Sequence, residues 1–272
     1  MPKFPIDRED RKPLGKTGER LSAIGLGTWA IRSYEAAYHA FVYAVSLGIN
    51  HFDTAEMYGA GEAEEFIGRV VKAVGRDNIF ITTKLYPYRF RDRHEAVKAA
   101  RESARRLGVN YIDLVLIHWP DNQASIEEQV RNLEAIAEEG IARYIGVSNF
   151  EESELEEAIY STRKHDIVAN QVKYSIVDRR AERLIPIAIK HGVTLQAYSP
   201  LERGQVAHIK LLAKIGKRYG RNAVQVALNF LISRPRVVAI PKAESKDHVK
   251  ELAGAMGWRL SEEDIEFIES KL

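Results

Sequence analysis

The 272-residue sequence predicts an α/β fold, a (β/α)8 TIM barrel with an N-terminal hairpin plug and extra C-terminal helices. Three observations predict it. Short β-branched runs recur along nearly the whole chain, and longer stretches with apolar residues at three- and four-residue steps lie between them. The runs are mostly continuous in apolar residues, as strands of a parallel sheet covered by helices are. Eight such units in one unbroken series favour closure into a barrel over an open sheet.

In chain order, Arg11 to Leu21 reads as a hairpin, with Gly15-Lys16-Thr17-Gly18 as its turn, placed to plug the barrel floor. The strand candidates are Leu21–Thr28, Asn50–Ala55, Ile79–Leu85, Leu114–Trp119, Tyr144–Asn149, Val168–Tyr174, Thr194–Pro200 and Val237–Lys242. Helical stretches between them include Glu62–Val74, Arg93–Leu107, Ile126–Glu138 and Glu154–Arg163. After the eighth strand come a helix near Asp247–Gly254 and another opening at Ser261, whose Ser-Glu-Glu-Asp start resembles a capping box. No linker or low-complexity segment interrupts the series, so residues 1–272 are expected to form a single domain.

Composition narrows the function classes. The 40 Lys and Arg nearly balance 38 Asp and Glu, and a net charge of +2 gives no one-signed field to recruit nucleic acid or anionic membrane. Any anionic ligand must be held by local chemistry. With no cysteine, disulfides, thiolate metal sites and cysteine nucleophiles are excluded together. The start, MPKFPIDREDRKPLG, lacks the apolar run of a signal peptide, and no later run approaches the roughly 20 residues of a membrane span. A cytoplasmic protein is expected. The absent cysteine, abundant charge of both signs and short connections also fit a thermophile.

Loops leaving the C-terminal ends of parallel barrel strands meet on one face, so polar residues there converge although distant in sequence. The second strand ends at Asp53 and its loop reaches Tyr58, the third ends at Lys84, and the fourth ends at His118. Hydride addition to a carbonyl needs a proton and a polarising donor for the developing alkoxide. A phenol at its reference pKa of about 10 is a poor acid at neutral pH. An adjacent ammonium lowers that value, and a carboxylate holds the ammonium charged. Tyr58 is therefore the candidate acid, Lys84 its tuner, Asp53 the tuner's anchor, and His118 a donor or relay at the carbonyl oxygen. Each residue alone has a structural reading: a turn cap for Asp53, a packed aromatic for Tyr58, a solvated stem for Lys84, a satisfied strand-end histidine for His118. Their joint placement on consecutive strands distinguishes them.

Ordered segments along the chain carry a family resemblance. They are Leu14-Gly15-Lys16-Thr17-Gly18, Ile24 to Trp29 (IGLGTW), Asn50 to Gly59 (NHFDTAEMYG), Thr83-Lys84, Tyr111 to Leu114, His118-Trp119-Pro120, Ile145 to Phe150 (IGVSNF), Asn170-Gln171-Val172, Ala197 to Leu201 (AYSPL) and Ile240-Pro241-Lys242. The sequence resembles the aldo-keto reductase family from about Leu14 to Trp258, and within it is similar to the archaeal alcohol dehydrogenase D type through Ala169–Tyr174 and Gly254–Asp264. The resemblance implies an NAD(P)H-dependent enzyme, reducing aldehydes and ketones to alcohols and the reverse, with Asp53, Tyr58, Lys84 and His118 as its catalytic tetrad. It also implies a cofactor site. Ser148, Asn149 and Gln171 would hold the nicotinamide carboxamide, with Asp53 nearby, and Tyr198 would stack on the ring. Ser199, Leu201 and Gly204 would cradle the pyrophosphate, where loops and helix N-termini suit anions. Lys242, Ala243, Ser245, His248, Glu251 and Leu252 would surround the adenosine, and Thr28, Trp29, Pro200 and Ile240 complete the implied cofactor site. Trp29, Tyr86 and Trp119, with Tyr58 and His118, are the expected pocket walls for a small carbonyl or alcohol. No metal is expected, and the assembly is expected to be a monomer or a weak homodimer.

Departures from the pattern sharpen the cofactor expectation. Many NADPH-specific relatives have Lys-Ser after the eighth strand and an Arg further on for the 2'-phosphate, whereas this chain has Lys242-Ala243-Glu244-Ser245 and His248. A mostly neutral imidazole cannot replace a bidentate guanidinium, so NADP(H) and NAD(H) are both expected to serve. Leu252 stands where relatives have an Asn for the adenine edge. Gly25-Leu26-Gly27-Thr28-Trp29-Ala30 matches a relaxed dinucleotide fingerprint, but Trp29 inside the loop and eight strand units read as a decoy. Two rival readings differ in kind. A metal-dependent hydrolase built from His51, Asp53 and His118 lacks a paired-histidine motif. A regulatory barrel would keep a cofactor site while serving a protein partner.

Overall fold

A computed structural model describes all 272 residues. Eight parallel strands form one sheet in sequence order: β3 (Leu26–Gly27), β4 (His51–Asp53), β5 (Phe80–Leu85), β6 (Ile112–Ile117), β7 (Ala142–Ser148), β8 (Ile167–Lys173), β9 (Thr194–Tyr198) and β10 (Val237–Ala239). The amides of Gly25 and Gly27 donate to the carbonyls of Ala239 and Pro241, and Ala239 N donates to Ala23 O, which joins the first strand to the last. This is the expected (β/α)8 barrel. The helices are α1 (Tyr34–Ser46), α2 (Glu62–Val74), α3 (Arg93–Leu107), α4 (Ile126–Glu138), α5 (Glu152–Ser161), α6 (Ile185–His191), α7 (Lys210–Tyr219), α8 (Ala223–Ile232), α9 (Lys246–Ala253) and α10 (Glu262–Lys271). No helix is long and apolar enough to cross a membrane.

Helix ends follow local chemistry. Asp92, Ser125, Ser245 and Ser261 accept hydrogen bonds from the third residue of the helices they precede, and glycines in the left-handed region close α3 and α7. The apolar spacing placed α2, α3 and α4 with the observed limits, because each carries a strong stripe with clear bounds: Asp92 and Ser125 cap α3 and α4, and Gly61 and Gly75 flank α2. The strand expected over Leu21–Thr28 is instead two pieces. Arg20–Ser22 (β2) pairs antiparallel with Arg11–Pro13 (β1), and only Leu26–Gly27 joins the barrel sheet. Between them the chain passes hard against His51: a Cβ at Gly25 would stand 2.8 Å from its Nδ1 and its carbonyl oxygen.

Side chains alternate along the strands, apart from an irregularity in the β7–β8 register, and β5 shows what that does. Phe80, Thr82 and Lys84 share the barrel interior; Ile81 and Leu85 face the helices, and Thr83 donates to Glu64 of α2 at 2.6 Å. The interior is layered by polarity. Leu14 and Leu21 of the hairpin pack with Phe80, Leu114, Leu116, Val168 and Val238 into an apolar floor. The hairpin is stitched there by Gly15 N to Thr194 Oγ1 (2.9 Å) and Arg236 Nη1 to Gly15 O (2.7 Å). Above it lies a polar layer: His51, Thr82, Gln171, Gln196, Asp53 and Lys84, all buried. The large apolar core lies outside the ring, between strands and helices.

Gly146 of β7 sits where a Cβ would meet Ala169 O at 2.6 Å and Leu116 Cδ2 at 2.7 Å. Both neighbours belong to the barrel wall. Gly146→Ala is expected to lower unfolding free energy by about 1–3 kcal/mol, the usual cost of overpacking, measured as a shift in denaturant midpoint. An unchanged midpoint would show that the wall gives way more easily than this packing allows.

Candidate active site

The C-terminal ends of β4, β5 and β6 deliver three of the expected residues to one face. Asp53 closes β4, Lys84 is the penultimate residue of β5, and His118 follows β6 directly. Tyr58 opens a short turn, Tyr58–Gly61, after β4. The turn folds back because Gly59, Ala60 and Gly61 all take positive φ. Lys84 Nζ then donates to Asp53 Oδ2 (2.8 Å), to Thr54 O (2.8 Å) and to Tyr58 OH (3.3 Å). The Tyr58 and His118 rings lie edge to face with centroids 5.8 Å apart. The structure thus brings all four together.

Electrostatics separate their protonation states. Burial pulls the Lys84 ammonium down, but attraction from Asp53 and Tyr58 outweighs it and holds Lys84 above the ordinary lysine value. For Tyr58 burial is again the largest influence, and it pushes the phenol above 10 despite the pull of Lys84. The expected net lowering of Tyr58 is therefore not found in this cleft, because desolvation of a phenolate costs more than one ammonium returns. Lys84 offsets that cost only in part. His118 is pushed down to about 3, by burial first and Lys84 second, so its imidazole is neutral and can donate a hydrogen bond without carrying charge. The arrangement holds a protonated phenol and a neutral imidazole side by side, over a fixed cation.

A second layer fixes the first. Gln171 Nε2 donates to Asp53 Oδ1 (2.7 Å) and to Gln196 Oε1 (2.9 Å), which spends both amide hydrogens inside the barrel. Gln196 and Thr82 in turn face His51 Nε2, at 3.5 and 3.0 Å. On the outer side, Arg106 Nε and Thr83 Oγ1 share the buried Glu64 carboxylate, at 2.6 Å each, tying β5 to α2 and α3. Glu56 accepts from Tyr86 N (2.6 Å) and holds the loop after β5 against the loop bearing Tyr58. Sequence reasoning missed the supporting roles of Glu56, Glu64 and Gln196. Nothing in spacing marks them, since each acts through a residue on another strand or loop.

The remaining expected residues fall into three groups. Ser148, Asn149, Gln171 and Tyr198 form one network: Ser148 Oγ donates to Gln171 O (2.8 Å), Asn149 Nδ2 to His118 O (3.0 Å) and to Ser148 Oγ (3.1 Å), and Tyr198 OH to Asn149 Oδ1 (2.9 Å). Tyr86 and Trp119 meet at right angles, with centroids 6.3 Å apart, and extend the wall that starts at His118; Tyr88, missed in the sequence, stacks on Tyr86 at 5.3 Å. Trp29, just beyond β3, is half exposed and lies under the Arg203 guanidinium at 5.3 Å. Thr28 is buried, with its hydroxyl unpaired. Ser199, Pro200, Leu201 and Gly204 follow β9, with Ser199 and Gly204 at positive φ. After β10 come Ile240, Lys242, Ala243 and Ser245, with His248, Glu251 and Leu252 on α9. Ala243 and Leu252 are turned into the core, Ser245 caps α9, and Glu251 accepts from Asn222 at 2.6 Å.

A family model, Aldo/keto reductase family, matches residues 23–272. The chain belongs to the aldo/keto reductase family. Among relatives of this aldo/keto reductase is methylglyoxal reductase YeaE of Escherichia coli (strain K12), 32% identical over 261 residues, which span 92% of this chain and 90% of that protein. A crystal structure of the thermostable aldo-keto reductase Tm1743 with the inhibitor epalrestat superposes with a TM-score of 0.90 at 39% identity, covering 96% of this chain and 98% of that one. An aldo/keto reductase of Klebsiella pneumoniae in complex with NADP and acetate gives a TM-score of 0.88 at 30% identity, covering 96% and 95%.

The neutral state of His118 gives a direct check. In the unfolded chain a histidine takes up its proton near pH 6.5, whereas folded His118 does so near 3. Its ring resonances in NMR are expected to stay unmoved from about pH 8 to about pH 4. Because the unfolded state binds the extra proton in that window, this group also makes stability fall as pH drops below about 6.5. Titration of His118 near neutrality would contradict the buried geometry.

Proposed function

We propose that this chain interconverts aldehydes or ketones and alcohols, using NADP(H) and also NAD(H), with Tyr58 as general acid and base. The observation that carries the reading is the single ammonium of Lys84 touching both Asp53 Oδ2 and Tyr58 OH, next to a neutral His118. The Klebsiella relative solved with NADP supports the cofactor, and the Escherichia coli methylglyoxal reductase supports a small carbonyl substrate.

The residues present fit such a cofactor. Gln171 commits its Nε2 to the barrel, which directs its amide oxygen away from Asp53 and Gln196. The buried Thr28 hydroxyl is unpaired at the strand-end face. Glu202, Arg203 and Gly204 take positive φ in succession in the loop after β9; the amides of Glu202 and Gly204 close that turn on Ser199 O and Leu201 O, and the Arg203 guanidinium beside it is a cation suited to a pyrophosphate. When bound, the nicotinamide supplies or accepts the hydride. Tyr58 gives its proton to the developing alkoxide, and Lys84 stabilises the phenolate left behind. Asp53 keeps Lys84 charged, and His118 donates to the carbonyl oxygen. Tyr86 and Trp119 form the apolar wall for the substrate's carbon groups.

Tyr58→Phe is expected to reduce kcat for carbonyl reduction by about 10²–10⁴, and Lys84→Met comparably, in a panel of aldehydes, ketones and secondary alcohols. Retained activity in Tyr58→Phe would remove the acid from this scheme. Wild type is expected to use NADPH and NADH with kcat/KM values within about a hundredfold of each other. His248→Arg should then raise the NADPH to NADH ratio about tenfold, the worth of one charge-assisted pair. Discrimination against NADH by several orders of magnitude in wild type would defeat dual use.

A further inference from the structure

The loop after β10 carries a carboxylate that the catalytic scheme does not use. Lys242 Nζ donates to Glu244 Oε1 at 2.7 Å and to Ala30 O at 2.8 Å. The other carboxylate oxygen, Glu244 Oε2, accepts from the backbone amides of Arg32 (3.0 Å) and Ser33 (3.2 Å). Glu244 therefore bridges the loop after β10 to the loop after β3, and it lies at the N-terminus of α1, where Ser33 is the cap. Burial alone would raise this carboxyl, but the bonds from Lys242, Arg32 N and Ser33 N outweigh it and keep Glu244 ionised below the ordinary glutamate value.

Two features beside that loop would otherwise attract a phosphate: the Lys242 ammonium and the backbone amides of Arg32 and Ser33 just before α1. Glu244 is bonded to both. Beside them Ser245 Oγ accepts from His248 N as the cap of α9, and Ala243 is buried and offers no side-chain donor. A dianion brought to Lys242 would share that ammonium with a carboxylate only a few ångströms away. At such separations like charges repel by about tenfold or more in affinity, even at surface-like dielectric. A ribose diol meets the same carboxylate as a hydrogen-bond donor, the pairing by which acidic residues select unphosphorylated nucleotides elsewhere.

We infer that Glu244 is the specificity-determining residue of the adenosine end, accepting from the free ribose of NAD(H) and repelling the 2'-phosphate of NADP(H). The inference rests on the cofactor reading proposed above and assigns to one side chain the balance between the two cofactors. Lys242 is then a counter-ion of Glu244 as much as a phosphate ligand, and the loss of an arginine at His248 is only half of the explanation for relaxed choice.

The test is calorimetric binding of 5'-ADP and of adenosine 2',5'-bisphosphate to wild type, Glu244→Gln and Glu244→Ala, with thermal unfolding of each as a folding control. In Glu244→Gln, affinity for the 2',5'-bisphosphate should rise about tenfold, while that for 5'-ADP holds or weakens by up to about threefold. Glu244→Ala, which also frees Lys242, should shift the ratio of the two affinities at least as far. An unchanged ratio in both variants, with both nucleotides bound, overturns the assignment of Glu244 and leaves the cofactor reading standing. Absence of binding by either nucleotide to all three proteins overturns that reading and the inference together.

Discussion

A lysine ammonium inside a protein is expensive, and the upper half of this barrel is organised around holding one. Lys84 is 1% exposed and keeps its proton only because Asp53, Thr54 O and Tyr58 surround Nζ within hydrogen-bonding reach. Asp53 in turn needs Gln171, and Gln171 needs Gln196 to take its second amide hydrogen. The result is a run of polar side chains through the interior from β4 to β9. Such a run is tolerable because almost every member is paired, and it is stiff for the same reason. The outward residue next to Lys84, Thr83, is anchored to Glu64, so the strand cannot rotate the ammonium away.

Much of this was legible in the sequence, and the reason is periodicity. Strong apolar stripes bounded by caps or glycines marked α2, α3 and α4, and strand-end polar residues marked Asp53, Lys84 and His118. What remained hidden depends on contacts between distant strands. The division of Leu21–Thr28 into a hairpin strand and a two-residue barrel strand follows from the approach of Gly25 to His51, which no local pattern announces. Tyr58 was placed correctly, but the sign of its net shift was not, because burial is a property of the packed loops and outweighs the nearest charge. Trp29, a candidate for the pocket wall from its place just beyond a strand end, lies under Arg203 from the loop after β9, a contact 174 positions away that nothing in the local sequence marks.

Backbone strain is distributed unevenly. The non-glycine residues at positive φ are Ala30, Ala60, Asn149, Ser199, Glu202, Arg203 and Arg236. All but Arg236 lie in loops leaving the C-terminal ends of strands, on the face that carries Tyr58 and His118. Each left-handed residue of this kind costs stability, of order 1–3 kcal/mol, unless its surroundings compensate. Here they do so visibly: Asn149 is fixed by His118 O, Ser148 and Tyr198. The face that carries Tyr58 and His118 therefore holds six of the seven non-glycine left-handed residues, and Arg236 is the one on the opposite side.

The hairpin plug makes the two ends of the barrel chemically unlike. Leu14 and Leu21 pack against Phe80, Leu114 and Leu116, so the interior is apolar at that end and carries its paired polar groups only beyond it. A charged group set among those leucines would find no partner within reach, so the cost of desolvation itself confines Lys84 and Asp53 to the strand-end half of the barrel, and a pair of leucines on the far side of the molecule marks where polarity has to stop.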